Sequence, residues 1–346
     1  MIWVSNKWLL VETFGLKLEP SIIAIGSVPK KMLPLESVLH RGPNLDLVQQ
    51  LVADATTGSA QRSAEARTHS RRGIAIPLRA FTGVIHGAFV WVGGAHEDPP
   101  RRDIAGAWHF NLTTDTIGGS NELLDLYGVR PEHRQTERAT AEAFERLIPN
   151  ADASAALALL VRSRPGDEHQ AVWGVRRDDG DVRAGHLSCR AVIEEHDGEP
   201  QVVLRGITHD IGPAEQTPAA PPPPVLEQRV LESMAEPGTY RALVNLKTLR
   251  ILRWIDNPIP GLAWRHLPGG SIPEPWIHPD DEGVARDLSQ GLSHGHSKGT
   301  LRLADSDGGW LPIHVVANIV LLDQHTTAGL FTMRLITPGD GQRQGD

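Results

Sequence analysis

The chain has 346 residues, which is enough for two or three domains. Hydrophobic residues make up 40% and charged residues 22%, a balance typical of folded proteins and unlike that of disordered chains. The net charge of −8 offers no global basic surface to nucleic acid or anionic lipid. The single cysteine, Cys189, excludes an intramolecular disulfide and any zinc or iron–sulfur site built from cysteines.

Localisation is predicted from what the sequence lacks. One of its most apolar runs, Ile313 to Leu322, is far shorter than the ~18 apolar residues that a membrane-spanning helix needs. The N-terminal residues lack the basic region, apolar core and small-residue cleavage site of a signal peptide. Together with the unpaired cysteine, these features predict a cytoplasmic protein that does not insert into membranes.

Polar, proline-containing segments divide the chain into three blocks. Residues 213–225 contain six prolines and one charged residue, which predicts a stiff extended linker. Residues 95–103 separate two apolar runs, and the polar residues 338–346 are predicted to form a disordered tail. The resulting blocks are 1–98, 104–212 and 226–337.

The second and third blocks repeat one plan, in which a helix is followed by three strands joined by tight turns. In block two the helix begins at Asp152, and in block three it begins at Asp280, because aspartate is a favourable N-cap. Order and spacing both recur, which indicates an internal repeat. The predicted strands are 169–176, 182–193 and 201–207 in block two, and 297–303, 310–322 and 326–336 in block three.

Turns and alternation support antiparallel strands. Asp179-Gly180 and Asp307-Gly308 stand between apolar runs, and Asp-Gly is a strong hairpin signal because the turn needs positive φ. Residues Leu311, Ile313, Val315 and Ala317 alternate with residues of the opposite face, which predicts one buried face. In block one we predict a helix over 44–55 and strands over 72–79 and 84–92. The fold class is therefore α+β, with three modules that each have an antiparallel sheet and flanking helices.

Short motifs in each block resemble known families. Block two resembles a PAS domain through Trp108–Leu112, Ser120–Gly128, Pro131, Leu147–Pro149, the Asp179-Gly180 turn and Gly206–Ile211. Block three is similar, and it carries the run His278-Pro279-Asp280-Asp281. Block one resembles the closing strands of a GAF domain through Arg72–Arg79 and Val84–Val92. The resemblance implies a tandem array of GAF-like, PAS-like and PAS-like sensor domains.

If this resemblance holds, the chain is a non-catalytic sensor or signalling protein. It has no kinase, cyclase, phosphodiesterase or helix-turn-helix motif. Its function would therefore be to bind a small molecule, a partner protein or both, and another, unknown protein would carry the output. Two alternatives remain: an enzyme whose catalytic residues are dispersed along the sequence, and a protein–protein scaffold that senses no ligand.

The resemblance also implies a ligand cavity between the sheet and the helices of each PAS-like block. These candidate residues are mostly apolar and suit an uncharged or lipophilic metabolite, and the chain has no Gly-rich phosphate loop. They are Phe110, Tyr127, Phe144, Trp173 and Cys189 in block two, and Trp254, Trp264, Trp276, Trp310 and His314 in block three.

No cofactor or metal is predicted. Cys189 lies in a predicted strand and outside the helical motif of flavin-adduct sensors, so we interpret it as a small buried hydrophobe. His294 and His296, with His278 and Asp280, form a candidate haem or metal site, but glycines beside the first pair indicate a loop. The pairs Asp178-Asp179 and Asp280-Asp281 are explained by turns and helix capping.

Two kinds of macromolecular partner are considered. The basic residues near Arg71 and Arg101 have no interleaved aromatic side chains, so nucleic-acid binding is not predicted. Residues 227–234 form an amphipathic segment through which two copies could pair, and this segment predicts a homodimer.

Overall fold

In the computed structural model of the protein, the described residues are 6–15, 19–56, 64–67, 70–135, 137–148, 150, 152–196, 198–217, 233, 236–265 and 273–336. Within these ranges every strand pair is antiparallel and three sheets form, so the predicted α+β class is confirmed. No helix in the described ranges has the length and apolarity to cross a membrane. Most of the linker 213–225, most of the segment 227–234 and the tail 338–346 lie outside the described residues.

The N-terminal module contains a six-stranded sheet in the order β3-β2-β1-β6-β5-β4. The helix and the two strands predicted for this block are present as α2, β5 and β6. No strand is predicted from the sequence of residues 1–43, although β1, β2 and β3 form the other half of this sheet. The elements are β1 (Leu9–Glu12), β2 (Ser21–Ile25), β3 (Val28–Pro34), α1 (Leu35–Leu39), α2 (Pro43–Thr56), β4 (Ala64–Arg67), β5 (Arg71–Arg79) and β6 (Ile85–Gly94).

The middle module contains a seven-stranded sheet in the order β10-β11-β12-β13-β7-β8-β9. The predicted helix and the three-stranded meander of this block are present as α5, β11, β12 and β13. The elements are β7 (Ala105–Asn111), β8 (Thr116–Gly119), α3 (Asn121–Leu126), β9 (Glu137–Ala139), α4 (Thr140–Glu145), β10 (Leu147–Ile148), α5 (Ala153–Arg162), β11 (Glu168–Arg176), β12 (Val182–His196) and β13 (Glu199–Pro213).

The C-terminal module contains a five-stranded sheet in the order β15-β14-β18-β17-β16. Its helix and last three strands match the predicted repeat, and the alternation on β17 is confirmed because Ile313, Val315 and Ala317 are buried. The elements are β14 (Thr239–Val244), β15 (Ile251–Trp254), α6 (Glu282–Gly291), β16 (His296–Ala304), β17 (Trp310–Leu321) and β18 (Thr327–Leu335).

The three modules stack as successive layers. Helix α2 covers one face of the first sheet, and the opposite face packs on the middle sheet through Phe89, Ala107 and Ile207. Helices α4 and α5 of the middle module lie between its own sheet and the third sheet, whose far face is covered by α6. The middle sheet is therefore covered on both sides.

The two faces of the middle sheet differ in chemistry. Successive side chains of a strand point to opposite faces, so one strand can supply both an apolar and a charged surface. On β13, Leu204 faces the apolar helix layer, whereas Arg205 and His209 face the N-terminal module. On β12, Cys189 faces the helices and Arg190 faces the N-terminal module.

Two buried arginines of the middle sheet, Arg190 and Arg205, reach the first sheet. Arg190 is 3.4 Å from Glu12 and 2.7 Å from Glu168, and Arg205 is 2.6 Å from Glu194. A guanidinium of Arg205 also donates to the carbonyl oxygen of Phe14 at 3.0 Å. Glu168 and Glu194 belong to the middle module, so the contacts that cross to the N-terminal module are Arg190 with Glu12 and Arg205 with Phe14. Because removing Glu12 would leave the buried charge of Arg190 without its partner in the other module, this pair helps to fix how the two modules fit together.

Glycine permits close approach in the same junction. A Cβ atom at Gly87 would lie 2.2 Å from the carbonyl oxygen of Val11 and 2.9 Å from Ile207 Cδ1. A side chain at position 87 would therefore collide with the backbone of β1 in its own sheet and press on Ile207 of the middle sheet.

A polar network joins the middle module to the C-terminal module. The buried carboxylate of Asp115 accepts hydrogen bonds from Thr248 and, at 3.4 Å, from Asn245 Nδ2. Burial raises the pKa of Asp115, and these hydrogen bonds oppose the rise. Lys247 Nζ donates to the carbonyl oxygen of Val161 at 3.2 Å, which adds a second contact between the modules.

Candidate functional site

A cleft of about 400 Å³ opens between the middle and C-terminal modules. Drug-sized ligands commonly bind in clefts of about 300–1,000 Å³, so this one has room for a metabolite. The middle module contributes most of the wall, and the C-terminal module closes one side. The lining residues are Val129, His133, Gln135, Arg138, Glu142, Arg146, Asp178, Leu262, Ala263, Arg265 and Ser306.

The wall on the middle module is built around the junction of β9 and α4. Arg138 lies on β9, and α4 begins directly after that strand. The Glu142 side chain accepts a hydrogen bond from the Ala139 N–H at 3.0 Å, which holds the first turn of α4 against the end of β9. Arg146 follows the same helix, so one short segment places both arginines in the cleft.

Arg146 is held in position by its neighbours. It forms an ion pair with Asp178, which lies in the turn between β11 and β12. Its guanidinium carbon also lies 5.6 Å from the centre of the Tyr127 ring. Burial raises the pKa of the Tyr127 hydroxyl to about 12, so this tyrosine is neutral beneath the arginine.

Arg138 is less well satisfied. Its Nε atom is buried without a hydrogen-bond partner among the described residues. Burial and the neighbouring Arg146 lower the pKa of Arg138. An arginine remains charged at neutral pH despite such a shift, so a positive charge lies here with unused hydrogen-bonding capacity.

The C-terminal side of the cleft is formed by residues 262–265 and Ser306. Arg265 Nη2 lies 2.8 and 3.0 Å from the two carboxylate oxygens of Glu145, so this ion pair joins the two modules. Both partners are more than one-third exposed. The Arg265 guanidinium lies 4.5 Å from the centre of the Trp264 ring. The cleft thus combines guanidinium groups with an apolar surface, an arrangement suited to binding an organic oxyanion.

The residues predicted for the block-two cavity lie on the apolar side of the middle sheet. Phe110, Phe144, Trp173 and Cys189 share one core cluster, and the partly buried Tyr127 packs against it. Burial raises the pKa of Cys189 to about 12, so the thiol remains protonated and unreactive. The prediction that Cys189 acts as a small buried hydrophobe is confirmed.

The residues predicted for the block-three cavity are brought together only in part. Trp254, Trp264 and Trp276 share the C-terminal core, whereas Trp310 and His314 lie half-buried on β17. Trp276 lines an apolar cavity of about 30 Å³, and Trp264 and Trp276 both line one of about 10 Å³. Such volumes suit about one water molecule rather than a metabolite.

The cleft contains none of the ten predicted cavity residues, and its arginines were not singled out from the sequence. Residues 138 and 265 are far apart in the sequence, and no local sequence pattern indicates that both line one cleft. The aspartate turn at Asp178 was identified, but its carboxylate was interpreted only as part of a hairpin.

The potential metal ligands do not cluster where the sequence placed a candidate site. His278 and Asp280 are 3.7 Å apart, but they form no cluster of three potential ligands with His294 or His296 in the described part of the chain. A cluster of three is present instead at His109, Glu194 and His196. The Glu-x-His spacing on β12 could have indicated this cluster from the sequence, because residues two apart lie on the same face of a strand.

Family models match the whole plan of the chain. The N-terminal model of the Rv3651-like family matches residues 7–101, its middle-domain model matches residues 104–210, and its C-terminal model matches residues 224–344. No protein with a curated description matches the chain.

Solved structures extend the comparison. An uncharacterized protein from Mycobacterium tuberculosis is 31% identical with a TM-score of 0.83, and the match covers 96% of this chain and 97% of that one. A sensory box histidine kinase/response regulator from Burkholderia thailandensis is 22% identical with a TM-score of 0.23, covering 31% of this chain and 77% of that one. An RNA-binding light-oxygen-voltage receptor is 9% identical with a TM-score of 0.26, covering 67% and 95%. The last two scores are too low to carry an argument.

The resemblance to PAS and GAF domains is wrong. The family models assign all three modules to Rv3651-like domains. The physical reason is that the motifs behind the resemblance are not specific. An Asp-Gly hairpin, an aspartate at a helix start and an alternating meander satisfy general requirements of α+β modules, and a fold-level likeness does not fix a family or its function.

Proposed function

We propose that this chain, which belongs to the Rv3651-like family and contains its three domains in order, is a non-catalytic binding protein. Its ligand is a small organic molecule that carries a carboxylate or phosphate group. The observation that carries the proposal is the cleft of about 400 Å³ between the middle and C-terminal modules, with Arg138 incompletely paired in its wall.

The charges of the cleft support an anionic group on the ligand. Arg146 and Arg265 already have the carboxylate partners Asp178 and Glu145. Arg138 has a buried Nε without such a partner in the described residues, and a carboxylate or phosphate oxygen would satisfy it.

The apolar part of the lining supports an organic ligand rather than a bare inorganic ion. Val129, Leu262 and Ala263 border the cleft beside the charged groups. A ligand with a hydrocarbon portion would cover this surface while its oxyanion faces Arg138. This differs from the uncharged ligand expected from the sequence, because the apolar cavities of the C-terminal module are much smaller than the cleft.

The position of the cleft suggests how binding could be communicated. The ligand would contact both modules, and the Arg265–Glu145 pair already bridges them at an exposed position. Binding would stabilise one arrangement of the two modules, and a separate protein could recognise that arrangement.

The first experiment asks whether the protein carries a ligand and whether it binds an oxyanion. Native mass spectrometry of the freshly purified full chain is followed by thermal unfolding with inorganic phosphate, citrate or octanoate, and octanol serves as the uncharged control. We expect octanoate or citrate to raise the unfolding temperature more than phosphate or octanol does. A ligand at 100 times its Kd stabilises the folded state by about 2.7 kcal/mol.

Two arginine variants test the site itself. Arg138→Gln removes the incompletely paired guanidinium from the cleft, and we expect this variant to lose the ligand-induced shift in unfolding temperature. Arg130→Gln is the matched control, because Arg130 is exposed in the same module and does not line the cleft. No retained molecule and no shift with any probe would favour the scaffold alternative. Sustained turnover of a bound compound would favour the enzyme.

A further inference from the structure

A second cluster of polar side chains lies on the opposite side of the middle sheet from the cleft. His109 extends from β7, and Glu194 and His196 extend from β12. Their nearest nitrogen and oxygen atoms all lie within 4.8 Å of one another. We propose that His109, Glu194 and His196 bind one divalent transition-metal ion of the Zn²⁺ class.

The distances suit a metal ion bound at a shared centre. His109 Nε2 is 3.2 Å from Glu194 Oε2, and His196 Nε2 is 3.3 Å from the same oxygen. A tetrahedral ion with bonds of about 2.0–2.1 Å keeps its ligand atoms about 3.3 Å apart. Two imidazole nitrogens and one carboxylate oxygen are also ligands that Zn²⁺ and related ions prefer.

An independent observation concerns His196. Its Nε2 atom is buried and has no hydrogen-bond partner among the described residues, although it is close to Glu194. The orientation therefore does not make a good hydrogen bond to the carboxylate. A metal ion between the two groups would satisfy this nitrogen.

Arg205 prepares the carboxylate for such a role. Its Nε donates to Glu194 Oε1 at 2.6 Å, which leaves Oε2 facing both histidines. A hydrogen bond to the second oxygen of a ligating carboxylate is a common way to orient the ligand.

The surroundings give the site one dry side and one wet side. The Phe81 ring of the N-terminal module lies 6.0 Å from the His109 ring, whereas the His196 side chain is 35% exposed. Since Arg205 already balances the charge of Glu194, the bound ion would take water or a small anion on its exposed side. The three protein ligands leave that position open.

The test uses the full chain after chelator treatment and removal of the chelator. Isothermal titration with Zn²⁺ should give one high-affinity site per chain, and Mg²⁺ should not compete, because it prefers oxygen ligands in octahedral geometry. His196→Gln should weaken Zn²⁺ binding at least 10-fold, because removing a residue that only hydrogen-bonds to a ligand already costs about 10–100-fold in metal affinity. His96→Gln is the control, because His96 is exposed and outside the cluster.

A spectroscopic measurement keeps the test valid if a variant misfolds. Co²⁺ added to the metal-free wild-type chain should give the strong visible d–d absorption of a tetrahedral or five-coordinate site. Absence of high-affinity Zn²⁺ binding, equal affinity in wild type and His196→Gln, or only the weak spectrum of hydrated Co²⁺ would overturn the proposal. The cleft variants leave this site unchanged, so its failure is distinguishable from failure of the proposed function.

Discussion

Individual histidines show how strongly the charged face of the middle sheet is desolvated. His86, His186 and His209 are all buried near the junction with the N-terminal module. Burial lowers the pKa of His86 to about 3, and burial together with His209 lowers the pKa of His186 to about 4. Both imidazoles are therefore neutral in the folded protein near pH 7.

His186 should make the protein less stable in acid. Its pKa rises from about 4 to about 6.5 on unfolding, so the unfolded chain binds more protons than the folded protein between pH 6.5 and 4. The free energy of unfolding therefore falls as the pH falls through this range. The loss from this group between pH 7 and pH 5 is on the order of 2 kcal/mol. Urea unfolding of His186→Phe should lose that part of the pH dependence.

The control for this measurement is His96→Phe, which makes the same substitution at an exposed histidine. If the two variants show the same pH dependence as the wild type, His186 does not contribute to acid destabilisation. The quantity compared between the variants is the free energy of unfolding at each pH.

Side-chain chemistry of this kind could be predicted only in part. The single cysteine is buried, as predicted, because a small residue inside a strand can pack in the core without a partner. The cluster of His109 with Glu194 was missed, because β13 lies between their strands and the register places them together only after the sheet forms.

At the scale of secondary-structure elements, turn motifs in the sequence predict the strands correctly where the connecting turns are tight. The hairpins at Asp179-Gly180 and Asp307-Gly308 have glycines with positive φ, as predicted, and they join strands of the expected extent. The strands β1 and β2 carried no such marker. Their residues are buried without alternation because both faces of the first sheet are covered, so the period of two is lost.

Asp281 gives a prediction for one of these elements. It accepts three hydrogen bonds from Arg302, at 2.8, 2.9 and 2.8 Å, and so ties the start of α6 to β16. We expect Asp281→Asn to lower the thermal unfolding midpoint, whereas Asp280→Asn should have less effect, because the Asp280 carboxylate is 76% exposed and 3.5 Å from Arg302.

Acid should remove the difference in thermal unfolding midpoint between wild type and Asp281→Asn. The hydrogen bonds from Arg302 lower the pKa of Asp281 to about 2, below its unfolded value of 3.8. A depressed carboxylate pKa contributes stability above the unfolded value, and this contribution is lost as the pH falls from about 4 to 2. An unchanged midpoint difference across that range would contradict the assigned cause.

At the scale of the molecule, the layers could not be ordered from the sequence. The repeated blocks predicted similar units, but an amphipathic face does not specify which module covers it. The middle module shows this most clearly. One face of its sheet is covered by a junction that combines apolar contacts with buried charges, and the other by helices shared with the third sheet. Family membership likewise needed comparison with whole domains rather than short motifs.

The two junctions differ in how their charges meet solvent, and ionic strength should therefore act on only one of them. Arg190 and Glu12 pair away from water across the first junction, whereas Arg265 and Glu145 pair at an exposed position across the second. Salt screens exposed charges strongly and buried ones weakly, since the Debye length falls from about 10 Å at 0.1 M to about 3 Å at 1 M. Hydrogen–deuterium exchange in 1 M salt should quicken around residues 262–265 and leave β7 and β13 unchanged. An electrolyte would thus act on the exposed edge of the last junction, while the buried contacts of both junctions keep the three modules together.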